Sequence, residues 1–246
     1  MSVAAGTSDA KSIAANLERV RERMSRAAER AGRRAEEITL IAVSKTFPVE
    51  AIRAAYECGV RGFGENRVQE WETKSSKLGD LRDATWHLIG HLQSNKAKKA
   101  ARLFHRVDSV DSAELAKKLD AAAKEEGKRL GVLIEVKLDA EESKNGASPQ
   151  EMPALAAAIC ELANLDLGGL MTVPPFFEDA ERVRPYFRQL RELRDDLARR
   201  TGRDLPVLSM GMSHDFEAAI EEGATEIRVG TGIFGARMKA TDATLP

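Results

Sequence analysis

Lys45 closes the apolar run TLIAVSK (residues 39–45), where Ile41, Val43 and Lys45 fall on one face of an extended segment. A lysine stem held there, partly out of water, favours the neutral amine, and a neutral amine attacks an aldehyde. The alternative is a strand-end lysine that snorkels its ammonium into solvent. A second constellation lies near the C-terminus, in LSMGMSHDFEAAIEEG (208–223) and EIRVGTGIFGAR (226–237). Each runs from a short apolar segment through small and hydroxyl residues into a helix start, which offers backbone N–H groups and partial positive charge to an anion. Ser209, Gly211, Gly230 and Thr231 are the anion-binding candidates, unless the glycines serve only tight turns. Ser213 is expected to cap the helix that follows, with Glu217 out of register for a capping box. Arg228, two residues before Gly230, shares its face. An inward arginine cannot shed its charge, so it must meet a ligand or a carboxylate such as Glu135.

A lysine for an aldehyde, a phosphate cradle and an arginine for a ring nitrogen together suit pyridoxal 5′-phosphate. The elements that would position them alternate. Short apolar or β-branched runs at 39–45, 60–64, 85–90, 106–110, 130–138, 167–173, 206–210 and 226–230 read as strands. Segments with three-and-four spacing at 49–58, 112–126, 149–162, 178–200 and 215–222 read as helices. Residues 13–31 form a further amphipathic helix ahead of the first strand, within an N-terminal helical extension over 1–35. Gly59, Gly127, Gly202 and Gly223 punctuate helix ends. Strands separated by helices run parallel, and eight such units in 246 residues predict an α/β fold, a single (β/α)8 TIM barrel spanning 1–246. An open doubly wound sheet is the runner-up. In a barrel the chemistry collects at the C-terminal strand ends, where Lys45, Asn66, Ser209, Gly230 and Thr231 fall.

The motifs AVSKTFP (42–48), FGENRVQE (63–70), WHLIGHLQSNK (86–96), VDSVDS (107–112), GLMTVPP (169–175), LSMGMSHDFEAAI (208–220) and IRVGTGIFGAR (227–237) resemble, in order and over nearly the whole chain, the pyridoxal phosphate homeostasis proteins. That family shares the alanine racemase-type barrel. The resemblance implies that Lys45 carries pyridoxal 5′-phosphate as an internal aldimine. It further implies phosphate contacts at Ser209, Gly230 and Thr231, and an arginine, Arg228, facing the pyridine nitrogen. Asn66 and His87 match positions near the ring or the mouth, and Met171 is read as lining the pocket. Many members have an aromatic residue where this chain has Arg67, which bears on the rim alone.

The resemblance implies a carrier or regulator of the free cofactor, with cofactor-dependent apoenzymes as recipients, rather than a fast catalyst. A racemase needs a second base, commonly a tyrosine, yet the chain has only Tyr56 and Tyr186, both in helix-like segments. A permanently protonated arginine at the ring nitrogen also weakens the ring as an electron sink. The alternatives are a slow cofactor-dependent racemase or related amino acid enzyme, and a Schiff-base aldolase working with a free Lys45.

Balanced charge, 38 Lys+Arg against 39 Asp+Glu, gives no field for nucleic acid or an anionic membrane. The basic stretch 91–102 reads as a solvated helix face. No apolar run of 18 residues and no basic-then-apolar leader is present, which predicts a cytosolic protein. Cys58 and Cys160 are read as reduced, His87 and His91 lack a zinc motif, and a monomer is expected.

Overall fold

The computed structural model describes residues 4–139 and 145–236, with side chains from residue 10 onward. Eight parallel strands close into a barrel in chain order: β1 (Thr39–Val43), β2 (Gly62–Glu65), β3 (Thr85–Leu88), β4 (Arg106–Val110), β5 (Leu130–Glu135), β6 (Leu165–Met171), β7 (Val207–Ser209) and β8 (Glu226–Val229). The ring closes where β1 pairs with β8, Ala42 opposite Val229. Around it run α2 (Val49–Glu57), α3 (Val68–Ser75), α4 (Ala97–Leu103), α5 (Ala113–Glu125), α6 (Met152–Cys160), α7 (Arg184–Thr201), α8 (Phe216–Glu221) and α9 (Thr231–Phe234), preceded by α1 (Ala4–Arg30). The closed barrel replaces the open-sheet alternative.

Strand alternation divides the core into two. Outward residues such as Ala42, Val132, Ile134 and Ile227 pack with the apolar helix faces into one continuous sheath. Ile41, Val43, Leu133 and Met171 are equally buried but belong to the barrel interior. The interior floor is ionic. Arg106 on β4 reaches Asp108 at 2.6 Å and, across the barrel, Glu226 on β8 at 2.6 Å. Burial disfavours the Arg106 charge, yet the two carboxylates raise its pKa, and Arg106 in turn holds Asp108 far below the carboxylate range.

Local chemistry explains where helices differ from the sequence pattern. The segment expected as one helix over 178–200 starts with a 3-10 turn, Ala180–Val183, and α7 begins at Arg184 with Pro185 in its first turn. Proline lacks the N–H that a helix interior needs and suits that position. The helix α3, not anticipated, buries only Val68 and Trp71, too few for a periodic signal. Glycines 59, 127, 202 and 223 all take left-handed φ at helix ends, as expected. Gly169 is needed for a different reason: at φ +152°, a Cβ there would lie 1.9 Å from the Val207 carbonyl oxygen.

The N-terminal helix joins the wall beside the seam between β1 and β8. On it, Arg23 and Arg30 pair with Glu217 and Glu221 of α8, each at 2.7 Å, and Asn16 donates to the Ile233 carbonyl of α9 at 2.8 Å. Cys58 and Cys160 are both free thiols. Among the described residues, no helix is long and apolar enough to cross a membrane.

Candidate functional site

Lys45 stands two residues beyond β1, half-buried, in the turn before α2. The backbone around it is fixed by a buried ionic cluster. Ser44 Oγ donates to Glu65 Oε1 at 2.7 Å, and Lys74 Nζ from α3 donates to the Ser44 carbonyl at 3.0 Å, to Glu65 at 3.1 Å and to Glu70 at 2.6 Å. Thr46 N–H donates to Glu70 Oε1 at 2.5 Å. Thr46 has φ 68°, a left-handed conformation that a β-branched residue rarely adopts. Strain of this kind persists only when the surroundings impose it, and here the Glu65–Lys74–Glu70 cluster does so. Burial pushes the Glu65 carboxyl up, against the opposing effect of Lys74 and the Ser44 hydroxyl.

The neighbouring strand ends supply donors. Because β8 lies beside β1, a Cβ at Gly230 would sit 3.4 Å from that of Val43, so Gly230 and Thr231 open α9 next to the lysine turn. The Phe47 and Phe234 rings, 4.8 Å apart, tie that turn to α9. The backbone N–H groups of Gly230 and Gly232 both point at Ser213 Oγ, at 3.3 and 3.2 Å. Ser213 therefore does not cap α8, as the sequence suggested: Asp215 is the N-cap residue there, and its carboxylate accepts from Met212 N–H at 2.6 Å. Two amides converging on one hydroxyl form a ready anion nest.

Arg228 lies one layer below Gly230 on the inner face, 3% exposed. It donates to Ser209 Oγ at 2.8 Å and to the Thr172 carbonyl at 2.7 Å. Burial lowers its pKa, while Glu226, Asp108, Glu135 and Asp215 oppose that shift. The Glu135 salt bridge considered for Arg228 is not formed among the described residues; neutral oxygens hold the guanidinium instead. Ser209 thus orients Arg228, and Met171 is level with Ser209 in the β6–β7 register.

The other sequence-predicted residues fall in three places. Asn66 follows β2 and packs its backbone so close to Gly90 that a Cβ there would be 2.4 Å from the Asn66 carbonyl oxygen. Gly211 takes φ +91°, and a side chain there would strike Ala219 and Phe216 of α8, so the turn needs glycine. His87 sits deeper, with Nδ1 3.6 Å from Asp108 and Nε2 3.1 Å from Thr85 Oγ1, in the floor rather than at the mouth. His87, Asp108 and Glu226 place possible metal ligands within 4.8 Å of one another, but the Arg106 guanidinium already occupies both carboxylates. Arg67 is exposed and, with Asn66, His91 and Lys96, lines a rim cavity of about 430 Å³. A cavity of about 560 Å³ lies at the opposite end, between α1 and the starts of β1 and β2, away from these donors. Arg237, last residue of the final motif, lies outside the described residues.

Sequence reasoning missed the contact of Ser213 with the Gly230 and Gly232 amides and the cluster around Lys45. The Glu70–Lys74 spacing of four was a visible signal for the latter.

A half-buried lysine, a buried arginine and an amide nest at the C-terminal ends of one parallel barrel describe a class, and comparison with known proteins gives its name. Residues 9–238 match the family model for the alanine racemase N-terminal domain, and the chain belongs to that family. The alanine racemase of Clostridium difficile 630 has the same fold, with TM-score 0.72 and 17% identity, covering 94% of this chain and 58% of its own. A narrower match follows. The pyridoxal phosphate homeostasis protein of Aquifex aeolicus (strain VF5) is 49% identical over 221 residues, 90% of this chain and 96% of the relative. PipY of Synechococcus elongatus PCC7942, solved with PLP bound, is 41% identical with TM-score 0.81, covering 91% of this chain and 100% of its own. The chain is a member of the pyridoxal phosphate homeostasis protein family.

Proposed function

We propose that this protein binds pyridoxal 5′-phosphate at the barrel mouth and serves its homeostasis in the cytosol, without fast turnover. The observation that carries this reading is the imposed left-handed turn at Thr46, which presents Lys45 beside the Gly230–Gly232 amide nest and above buried Arg228. The donor set fits the ligand: an amine, a guanidinium and an anion nest against an aldehyde, a ring nitrogen and a phosphate. When bound, the cofactor supplies an aldehyde that condenses reversibly with a lysine amine.

Each residue then has a task. Lys45 Nζ is the point of attachment. Ser213, Gly230 and Thr231 hold the phosphate, Arg228 donates toward the ring nitrogen, and Ser209 fixes the guanidinium. Asn66 and Met171 wall the ring, Gly211 shapes the β7–α8 turn, and His87 supports the site from the floor. A stereochemical inversion needs a base on each face of the substrate. Both tyrosines lie on outer helices: Tyr56 hydrogen-bonds Asp83, and the Tyr186 ring is 5.9 Å from Phe177. Their positions favour carriage over racemisation. The working unit is a single barrel domain over 1–246, monomeric, with cofactor-requiring apoenzymes as recipients.

The test is an absorption titration with pyridoxal 5′-phosphate, then borohydride reduction and peptide mapping, with Lys45→Ala alongside. A band near ~420 nm, trapped on Lys45 and absent from the variant, supports the reading. Label scattered over surface lysines refutes it. Amino acid α-proton exchange at enzymatic rates, abolished in Lys45→Ala, would favour the racemase-type alternative.

A further inference from the structure

Near the donors at the mouth stands an acidic group, Glu135, one of whose carboxyl oxygens is buried without a hydrogen bond among the described residues. Gly131, Leu133 and Glu135 alternate along the inner face of β5, and Glu135 ends that strand opposite Met171 in the register. In a closed barrel of eight strands, β5 stands across from β1, which leads to Lys45. Glu135 Oε2 is buried and accepts no hydrogen bond. A buried polar atom left unsatisfied is costly, and in a native site it calls for an explanation. Arg228 does not provide one: its hydrogen bonds go to Ser209 and Thr172, and it acts on Glu135 through charge alone. The spacing of the two is fixed: Thr172 accepts from Arg228 through its carbonyl and donates from its hydroxyl to the Val136 carbonyl at 2.8 Å. The charged groups facing Glu135 are Arg228 on β8 and Asp111 beyond β4, and Asp111 lies 3.4 Å from His91 beyond β3.

We propose that Glu135 is a binding residue of this site, whose protonated carboxyl donates a hydrogen bond to an acceptor oxygen of the bound pyridoxal compound. The inference rests on the cofactor reading above. Burial, reinforced by Asp111 and only partly offset by Arg228, pushes the Glu135 carboxyl up to about 7. At neutral pH the acid form is therefore well populated, and a carboxylic acid is a donor where a carboxylate is not. Ionisation removes the donor and sets a negative charge against an anionic ligand.

The dissociation constant of pyridoxal 5′-phosphate, measured on the full chain by absorption between about pH 6 and about pH 8.5, tests this in wild type, Glu135→Gln and Glu135→Leu. The glutamine keeps a donor and cannot ionise, whereas the leucine has none. Wild type and Glu135→Gln should bind alike at the acid end, with wild type falling behind by about tenfold at the alkaline end. Glu135→Leu should be weaker by about tenfold even at the acid end. Parallel pH courses for wild type and Glu135→Gln, or wild-type affinity in Glu135→Leu at the acid end, would overturn the proposal while leaving the cofactor reading intact. If wild type takes up no cofactor at Lys45, both fall together.

Discussion

Lys74→Met tests whether the ionic cluster beneath the lysine turn holds it in place. The substitution keeps most of the side-chain volume and removes the ammonium that meets Glu65, Glu70 and the Ser44 carbonyl. The Glu65 side chain is 0% exposed and that of Lys74 is 11% exposed, so solvent cannot replace the lost partner. Breaking a buried pair costs roughly 3–5 kcal/mol. Glu65 keeps the Ser44 hydroxyl and can take up a proton, which places the expected loss at the lower end, about 3 kcal/mol near neutral pH. The sign with pH follows from linkage. The Glu65 carboxyl is already raised in the folded protein, first by burial, and losing Lys74 raises it further. The folded variant then retains a proton that the unfolded chain releases above about pH 4.3, so the penalty grows as pH rises. At about pH 5 it should shrink to about 1 kcal/mol. Urea unfolding followed by circular dichroism, at about pH 5 and about pH 8, gives both values, and the Lys74→Met/Glu65→Gln double variant completes the cycle. The double variant should recover most of the loss at alkaline pH and lose the pH dependence. An equal penalty at both pH values, or purely additive effects, would refute the account. The Lys74→Met protein should also attach cofactor at Lys45 more weakly, because the ammonium that holds Glu70 against the Thr46 N–H and ties down the Ser44 carbonyl is gone.

Two further outcomes follow from the strand ends. Gly169→Ala should cost about 4 kcal/mol in urea unfolding, combining the disallowed φ with a Cβ 1.9 Å from the Val207 carbonyl oxygen; a loss below about 1 kcal/mol would mean that β6 can shift. Ser213→Ala removes the hydroxyl on which the Gly230 and Gly232 amides converge, and should weaken pyridoxal 5′-phosphate binding about tenfold with little change in stability; unchanged affinity would show that the amides orient themselves.

Periodicity and punctuation made the barrel legible in the sequence. The alternation of Ile41, Val43 and Lys45, the β-branched runs and the glycines at helix ends are local patterns, and each strand satisfies them within a few residues. The ordered motifs from AVSK to VGTG likewise revealed the family. Contacts between segments distant in the chain were not legible. Whether Ser213 caps its own helix or meets Gly230 and Gly232 depends on β7 lying beside β8, and no local pattern encodes that choice. Ser209 accepts a hydrogen bond from Arg228, 19 residues away, a contact between neighbouring strands that no local pattern encodes. His87 belongs to the ionic floor because Asp108 and Arg106 stand on the next strand, a side-chain environment that only closure creates. The same closure leaves Glu135 Oε2 buried without a partner. Residue type and spacing determined which groups line the barrel; the tertiary structure decided which of them the protein itself satisfies, because desolvation and hydrogen-bond geometry exist only once distant strands meet.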